Sequence, residues 1–357
     1  MKTQLSAQEI DYYARQIILP EWSAEVQLRL KNARVGVIGA GALGCAVLQS
    51  LARSGIGHIT IFDKDLISIS NLQRQILYDI NDVGKIKSQC AAEKIRAINP
   101  YIQVESRKKR IEKNNAQEEL NHFDVVVDGS DNFETKFLLN DVCGLLKKPL
   151  VFGAIDSYTG QLSVFHAHDE CPSYRSLFSE APEQENNNCE TIGVSPFLPQ
   201  IIGGLQANET IKILAGIGSN LCGKLLLFDS HKTQFSIFEF ENKKELEKID
   251  SETGKRKLIH QDISSLSYEE FHMKRGSIFA VDVREESEHA QFNLRGINIP
   301  IYELEVRMHE IDASKSIVTY CDSGMKAKQA AIIIASRFEK KIYYLETPLN
   351  ALKNSVK

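Results

Sequence analysis

A short apolar strand that runs through three glycines directly into an apolar helix leaves a chain few choices of fold. This one carries such a run from Val35 to Leu51, VGVIGAGALGCAVLQSL, with Gly39, Gly41 and Gly44 in a G-x-G-x-x-G spacing. That pattern opens a βαβ unit in which a helix N-terminus faces a phosphate group. The alternation continues, with residues 34–38, 58–62, 102–106, 123–128 and 149–154 reading as buried strands and 42–54, 84–98 and 133–147 as helices. Elements alternating at this spacing predict an α/β fold built on a doubly wound, mostly parallel sheet. The glycines alone do not choose the nucleotide, because hydride-transfer and adenylating enzymes share them.

Beyond Gly160 the alternation lapses. Residues 168–188 are polar and read as a surface loop crossing the domain, 196–215 as an apolar helix, and 223–240 as a hairpin. Residues 241–257, ENKKELEKIDSETGKRK, are almost wholly charged or polar and read as a linker. After it, strands at 278–282, 316–320 and 341–345 with helices at 267–274 and 324–338 predict a second, smaller α/β domain. The expected division is thus a first domain at 1–240, the linker, and a second domain at 258–357. At 357 residues and 43% apolar, the chain can fill both cores.

Several function classes drop out early. A net charge of -4 gives no electrostatic drive toward nucleic acid or an anionic membrane. No apolar run reaches the roughly 20 residues of a membrane helix, and the first residues, MKTQLSAQEIDYYARQ, have no apolar segment of the secretory kind. Seven cysteines, an odd count spread over a long chain, do not form a disulfide framework and point to a reducing cytoplasm.

Ligands of an open α/β sheet bind beyond the carboxyl ends of its strands, and the polar residues gather there. Asp63 ends the second strand in IFDKD, where its carboxylate suits a ribose hydroxyl of any adenosine. SISNLQRQ follows with Asn71 and Arg74, GKIKSQ brings Lys85 and Lys87 to the next helix, and DGSDN ends a later strand with Asp128, Asp131 and Asn132. Arginine and lysine neutralise phosphate oxygens, and Asp131 is placed to hold a Mg²⁺ that bridges them. Cationic help on this scale suits a triphosphate under attack better than a dinucleotide.

RQIILPEW, GAGALGC, SNLQRQ, GKIKS and DGSDNF, in this order and at these intervals, resemble the bacterial MoeB and ThiF adenylyltransferases, which activate ubiquitin-like sulfur carriers. The resemblance runs over residues 8–240. It implies ATP with Mg²⁺ on Asp131, and a nucleotide held by Gly39, Gly41, Ala42, Gly44, Asp63, Ser70, Asn71, Leu72, Gln73, Arg74, Lys87, Asp131 and Asn132. Ala42 stands where the family usually has glycine. Arg15 matches an arginine that the family supplies across its homodimer interface.

Two cysteines are candidates for sulfur chemistry. Cys189, in NNNCETIGVSPF, lies in the polar loop and matches a family cysteine, whereas Cys45, Cys90 and Cys143 sit in apolar helical patterns and read as buried packing. Cys321, in VTYCDSGMKAKQAA, follows a buried strand and precedes a helix, whose N-terminal N–H groups favour a thiolate. With VDVREESEHAQFNLRGINIPI, this stretch resembles a rhodanese domain over residues 260–352, which implies a persulfide on Cys321 and assigns Asp282 and Arg284 to that family's DVRE. Lys326 replaces the more usual arginine, and LETPLNAL replaces a glycine-rich segment.

The two halves together imply an enzyme that adenylates the Gly-Gly carboxylate of a ubiquitin-like carrier and then passes sulfur from Cys321 to it, with Cys189 as a second thiol. The product would feed molybdopterin or thiazole synthesis, and the donor would be a cysteine desulfurase or a small persulfide. The rival readings are an NAD-linked oxidoreductase fused to a persulfide domain, and a non-catalytic carrier-binding scaffold. No structural zinc is expected. Many relatives hold zinc through two C-x-x-C pairs, but here ECPSYRSLF puts Ser173 and Ser176 at the first pair's spacing, and 223–240 lacks cysteine. His168, Cys171, Cys222 and His231 make no recognised paired spacing.

Overall fold

The computed structural model describes residues 3–178, 193–241, 246–249, 256–259, 263–312, 314–322, 324–335, 337–338, 340–347 and 349. The chain divides into two compact units, with the main boundary between Asn242 and Lys243. In the first, eight strands form one sheet: β1 Arg34–Ile38, β2 His58–Phe62, β3 Gln103–Arg107, β4 Val125–Asp128, β5 Leu150–Asp156, β6 Thr159–Phe165, β7 Lys224–Asp229 and β8 Gln234–Glu239. Their order is β3-β2-β1-β4-β5-β6-β7-β8. Pairing is parallel from β3 to β5 and antiparallel from β5 to β8. β4 is buried at every position, as helices on both faces of a parallel sheet require, and so its sequence is a continuous apolar run.

The chain leaves β1 toward β2 and β3, then returns to place β4 on the other side of β1. This reversal opens a crevice at the carboxyl ends of β1 and β4. The helix Ala42–Ser54 follows β1 and ends at Gly55, whose φ of 86° closes the helix in the left-handed conformation. Across it lies the helix Leu198–Ala215, packed so closely at Gly203 that an added Cβ would stand 2.7 Å from the Ala46 Cβ.

Where the elements differ from the sequence reading, packing is the reason. The strand expected from residue 123 begins at Val125, because the Phe123 ring fills the space beside Gly36 and meets Phe62 edge-on. The helix expected from residue 84 begins at Lys87, since Gly84 has φ +86° and closes a turn. The polar stretch from residue 168 is not all surface. Its described part turns inward at the helix Tyr174–Leu177, where Tyr174 packs among Phe137, Phe152 and Phe165.

The segment read as a linker holds β9 Leu246–Ile249, which pairs antiparallel with β10 Arg256–Ile259 across the linker's expected end at 257. The second unit holds a parallel sheet of β11 Ile263–Leu266, β12 Ile278–Asp282, β13 Ile297–Asn298, β14 Ser316–Tyr320 and β15 Ile342–Leu345, in the order β11-β15-β14-β12-β13. Leu266, Phe271, Ile278, Val318 and Leu345 are among its core residues.

Candidate functional site

At the end of β1 the three glycines do three different jobs. Gly39 has φ +97°, and a Cβ there would press within 2.7 Å of the Gly129 carbonyl. A Cβ on Gly44 would lie 2.0 Å from the Gly39 carbonyl oxygen, so only glycine lets the helix start this close to the strand. A Cβ on Gly41 would meet nothing nearer than the end of the Gln75 side chain at 3.9 Å. That position is open, with the N-terminus of Ala42–Ser54 beside it, as a phosphate-binding turn must be. The Gln75 amide nitrogen, a donor, is the nearest atom to that open space. An open glycine cradle edged by a helix N-terminus and an amide donor fits a polyphosphate.

The loop after β4 is locked to this turn. The Gly129 N–H donates to the Ile38 carbonyl at 2.8 Å. Asp128, fully buried, pairs with Lys136 Nζ at 2.9 Å, and the same ammonium donates to the Ser130 and Gly153 carbonyls. Gln206 Nε2 donates to the Asp128 carbonyl at 2.7 Å. Asn132 caps the helix Phe133–Leu146 through its side-chain oxygen, which accepts from the Thr135 N–H at 2.9 Å. Asp131 is left exposed at the loop tip, with the Asn132 amide 3.4 Å from its carboxylate. An exposed carboxylate on a braced loop is a hard oxygen donor suited to Mg²⁺. Sequence reasoning missed Lys136 and Gln206, because each reads as one polar residue among several in an otherwise ordinary helix.

Asp63 braces the glycine turn from β2. Its carboxylate accepts from the Ala40 N–H at 2.8 Å and from the Asp65 N–H at 2.8 Å. Burial raises its pKa against the opposing pull of those hydrogen bonds and of Lys87. Asn71 is buried and accepts from the Ser68 N–H at 3.1 Å, so it shapes the loop that carries Ser70, Leu72 and Gln73. Arg74 is half-buried, tied to the Ser70 carbonyl at 2.9 Å, and its own carbonyl accepts from Gln200 at 3.3 Å. Lys87 is buried, 3.6 Å from the Asp65 carboxylate. Arg15 is exposed on the helix Ala14–Ile17. Cys189 lies outside the described residues.

In the second unit Cys321 is buried at the end of β14, and the Ala327 N–H in the first turns of the helix Met325–Ala335 donates to its sulfur at 3.3 Å. Gly324, with φ +81°, supplies the turn between them. Beneath the loop, Arg284 is buried against Asp282 at 2.7 Å and reaches Asp322, next to Cys321, at 2.9 Å. His289 closes the set at 2.9 Å from Asp282. The segment LETPLNAL also contributes, for the Leu349 N–H donates to the Cys321 carbonyl at 3.4 Å. Lys326 is half-buried in the first turn of the helix Met325–Ala335. Cys45, Cys90 and Cys143 are buried, as expected, and burial pushes the Cys45 thiol up to about 12 and the Cys90 thiol up to about 11.

The four scattered Cys and His residues are partly reunited. His168, Cys171 and Cys222 come together, with Cys171 and Cys222 joined as a disulfide that the sequence reading did not foresee. His231 instead lies against Tyr158, ring centroids 3.8 Å apart.

Known proteins carry the same two patterns. The ThiF family model matches residues 13–249 and the rhodanese-like domain model residues 268–355. The chain is 46% identical over 233 residues to the sulfur carrier protein adenylyltransferase of Thermus thermophilus, covering 64% of this chain and 86% of that protein. It is 35% identical to the probable molybdopterin-synthase adenylyltransferase of Pyropia yezoensis over 99% of this chain and 96% of that one. Against the adenylyltransferase and sulfurtransferase MOCS3 of Culex quinquefasciatus it is 44% identical, over 68% of this chain and 55% of that protein. In fold it is similar to E. coli MccB, with a TM-score of 0.58 and 22% identity over 66% of this chain and 72% of that one. No described helix is long and apolar enough to cross a membrane.

Proposed function

This chain belongs to the ThiF family and carries a rhodanese-like domain after it, and on that premise we propose that it is an adenylyltransferase with sulfurtransferase activity. Its substrate is the C-terminal Gly-Gly carboxylate of a ubiquitin-like sulfur carrier. The observation that carries this reading is the pairing of the open Gly41 cradle with the loop of Asp131, held against it by the Gly129–Ile38 hydrogen bond.

The first step is R–COO⁻ plus ATP giving R–CO–AMP and pyrophosphate. The glycine turn and the N-terminal N–H groups of Ala42–Ser54 hold phosphate oxygens, while Arg74 and Lys87 stabilise the charge that develops on them. Asp63 keeps the turn in shape and faces the ribose; Asn71 positions Arg74. The other loop residues, Ser70, Leu72, Gln73 and Asn132, line the nucleotide. Magnesium, held by Asp131, would neutralise charge on the departing pyrophosphate. The attacking carboxylate is already ionised, so no general base is needed.

The second step uses Cys321 as a persulfide loaded by a cysteine desulfurase or a small persulfide. Its terminal sulfur attacks the acyl carbon, AMP leaves, and an acyl disulfide forms. A second thiol, which we assign to Cys189, attacks the Cys321 sulfur, giving a Cys189–Cys321 disulfide and releasing the thiocarboxylate for molybdopterin or thiazole synthesis. We place the adenylation domain at 1–240 and the rhodanese domain at 258–357, joined by 241–257. A homodimer in which Arg15 serves the partner's nucleotide is supported by the exposed Ile18 and Leu19 beside it, 72% and 51% accessible. Thiol chemistry of this kind suits the cytoplasm. With Ser173 and Ser176 in place of the first C-x-x-C, no four-cysteine zinc is assigned.

The test is pyrophosphate exchange into ATP with a Gly-Gly-ended carrier. Exchange that appears only with the carrier supports the reading. Reduction of NAD, or carrier binding without exchange, would assign the chain to one of the rival classes.

A further inference from the structure

Thiol and imidazole groups outside both sites meet at the end of β6. The Cys171 N–H donates to the His168 carbonyl at 2.9 Å, a turn that folds both residues of HDEC onto one side. Cys222 arrives from the loop before β7, where it bridges to Val164. Its Cα stands 5.6 Å from that of Cys171, its sulfur lies 3.2 Å from His168 Nε2, and the three donor atoms lie within 4.8 Å of one another. Cys171 is buried, Cys222 half-buried and His168 exposed.

We propose that, when its two sulfurs are reduced, this triad binds one Zn²⁺ through Cys171 Sγ, Cys222 Sγ and His168 Nε2, with water in the fourth position on the exposed His168 side. Two thiolates and an imidazole are the donor set that thiophilic ions select over Mg²⁺ or Ca²⁺. Zinc–sulfur bonds of about 2.3 Å and zinc–nitrogen bonds of about 2.0 Å are reached from these positions by side-chain rotation. The set needs neither Ser173 nor Ser176, and it is not a four-cysteine site.

In the structure described here the same sulfurs form a disulfide, so metal and disulfide are alternative states. A thiol reductant supplies two electrons and two protons to open the S–S bond by exchange, itself becoming a disulfide. Zinc binding then displaces both thiol protons. Oxidised glutathione reverses this, closing the bond and leaving two reduced glutathione molecules. The ion or the bond ties the start of the polar segment to the loop that precedes β7.

The experiment uses the full chain, reduced and desalted without air, then titrated with Co²⁺ and Zn²⁺. The expected result is about one Co²⁺ per chain, with the sulfur-to-metal and visible bands of tetrahedral thiolate coordination, displaced by Zn²⁺. Those bands should vanish in the Cys171→Ser/Cys222→Ser variant and after oxidised glutathione. Because the double variant could unfold, His168→Ala, altered only at an exposed position, should weaken Co²⁺ binding at least about tenfold, in the range seen when a metal ligand or its support is removed. Reduced wild type without thiolate bands, or bands unchanged in either variant, would overturn the assignment. Metal stoichiometry is read without adenylation, so the result stands apart from the fate of that activity.

Discussion

Replacing Gly41 by alanine separates binding of phosphate from integrity of the fold. The Gly41 φ of -82° lies outside the left-handed region that favours glycine, and the added methyl would find only the Gln75 amide at 3.9 Å. The folded chain should therefore keep its stability to within about 1 kcal/mol. A phosphate oxygen accepting from a loop N–H sits about 2.9 Å from that nitrogen, and the methyl would take part of that space. Displacing the reacting phosphate by about 1 Å lowers the rate on the order of 100-fold. Gly44→Ala is the contrast, because its Cβ would fall 2.0 Å from a backbone oxygen. That overpacking should cost about 1–3 kcal/mol before any ligand is added. Thermal unfolding and carrier-dependent pyrophosphate exchange, measured on both variants, check the pair of expectations. Full exchange activity in a stable Gly41→Ala protein would refute the cradle as the phosphate site.

Four further expectations follow from the geometry. Lys136→Met strands the buried Asp128 carboxylate, whose side chain is 1% exposed, and should cost about 3–5 kcal/mol in urea unfolding; a loss below about 1 kcal/mol would show that this pair does not brace the loop. Arg74→Ala and Asp131→Ala should each lower exchange by about 100-fold or more, and normal rates in both would remove their assigned roles. Burial holds His166 below its ordinary pKa of 6.5. The folded state thus takes up that proton at lower pH than the unfolded one, and stability falls as the pH drops below about 6.5; His166→Gln should flatten the profile between pH 7 and pH 5, and an unchanged slope would exclude this histidine as its source. Cys321→Ala should leave exchange intact, since adenylation uses no thiol, and lost exchange would tie the two activities together in an unforeseen way.

The parts legible in the sequence were those where one local signal dominates. β1, β2, β12 and β14 matched their apolar runs end to end, and the glycine spacing marked the turn that the close approaches at Gly39 and Gly44 require. β11 was missed because ISSL has no apolar run, its strand character coming from pairing with β15. The helix Tyr174–Leu177 was hidden because its buried ring sits among polar neighbours, and only tertiary contacts with Phe137, Phe152 and Phe165 draw it inward. In the site, the residues proposed for the nucleotide were readable as strand-end charges. The residues that brace them were not, since Lys136 in NFETKFLL looks like a solvated helix charge until Asp128 is found beside it. The meeting of Cys171 with Cys222, 51 residues apart, likewise needs the fold that brings β6 and β7 side by side.

The central claim is that one chain both activates a carrier carboxylate and supplies the sulfur that replaces its oxygen. Mass spectrometry of a Gly-Gly-ended carrier, incubated with the full chain, ATP, Mg²⁺ and a persulfide donor, tests it most directly. Wild type should convert the carrier to its thiocarboxylate, while Cys321→Ala should exchange pyrophosphate at the wild-type rate and leave the carrier unthiolated. Thiocarboxylate formed in full by Cys321→Ala, or none formed by wild type that is exchanging normally, would contradict the account.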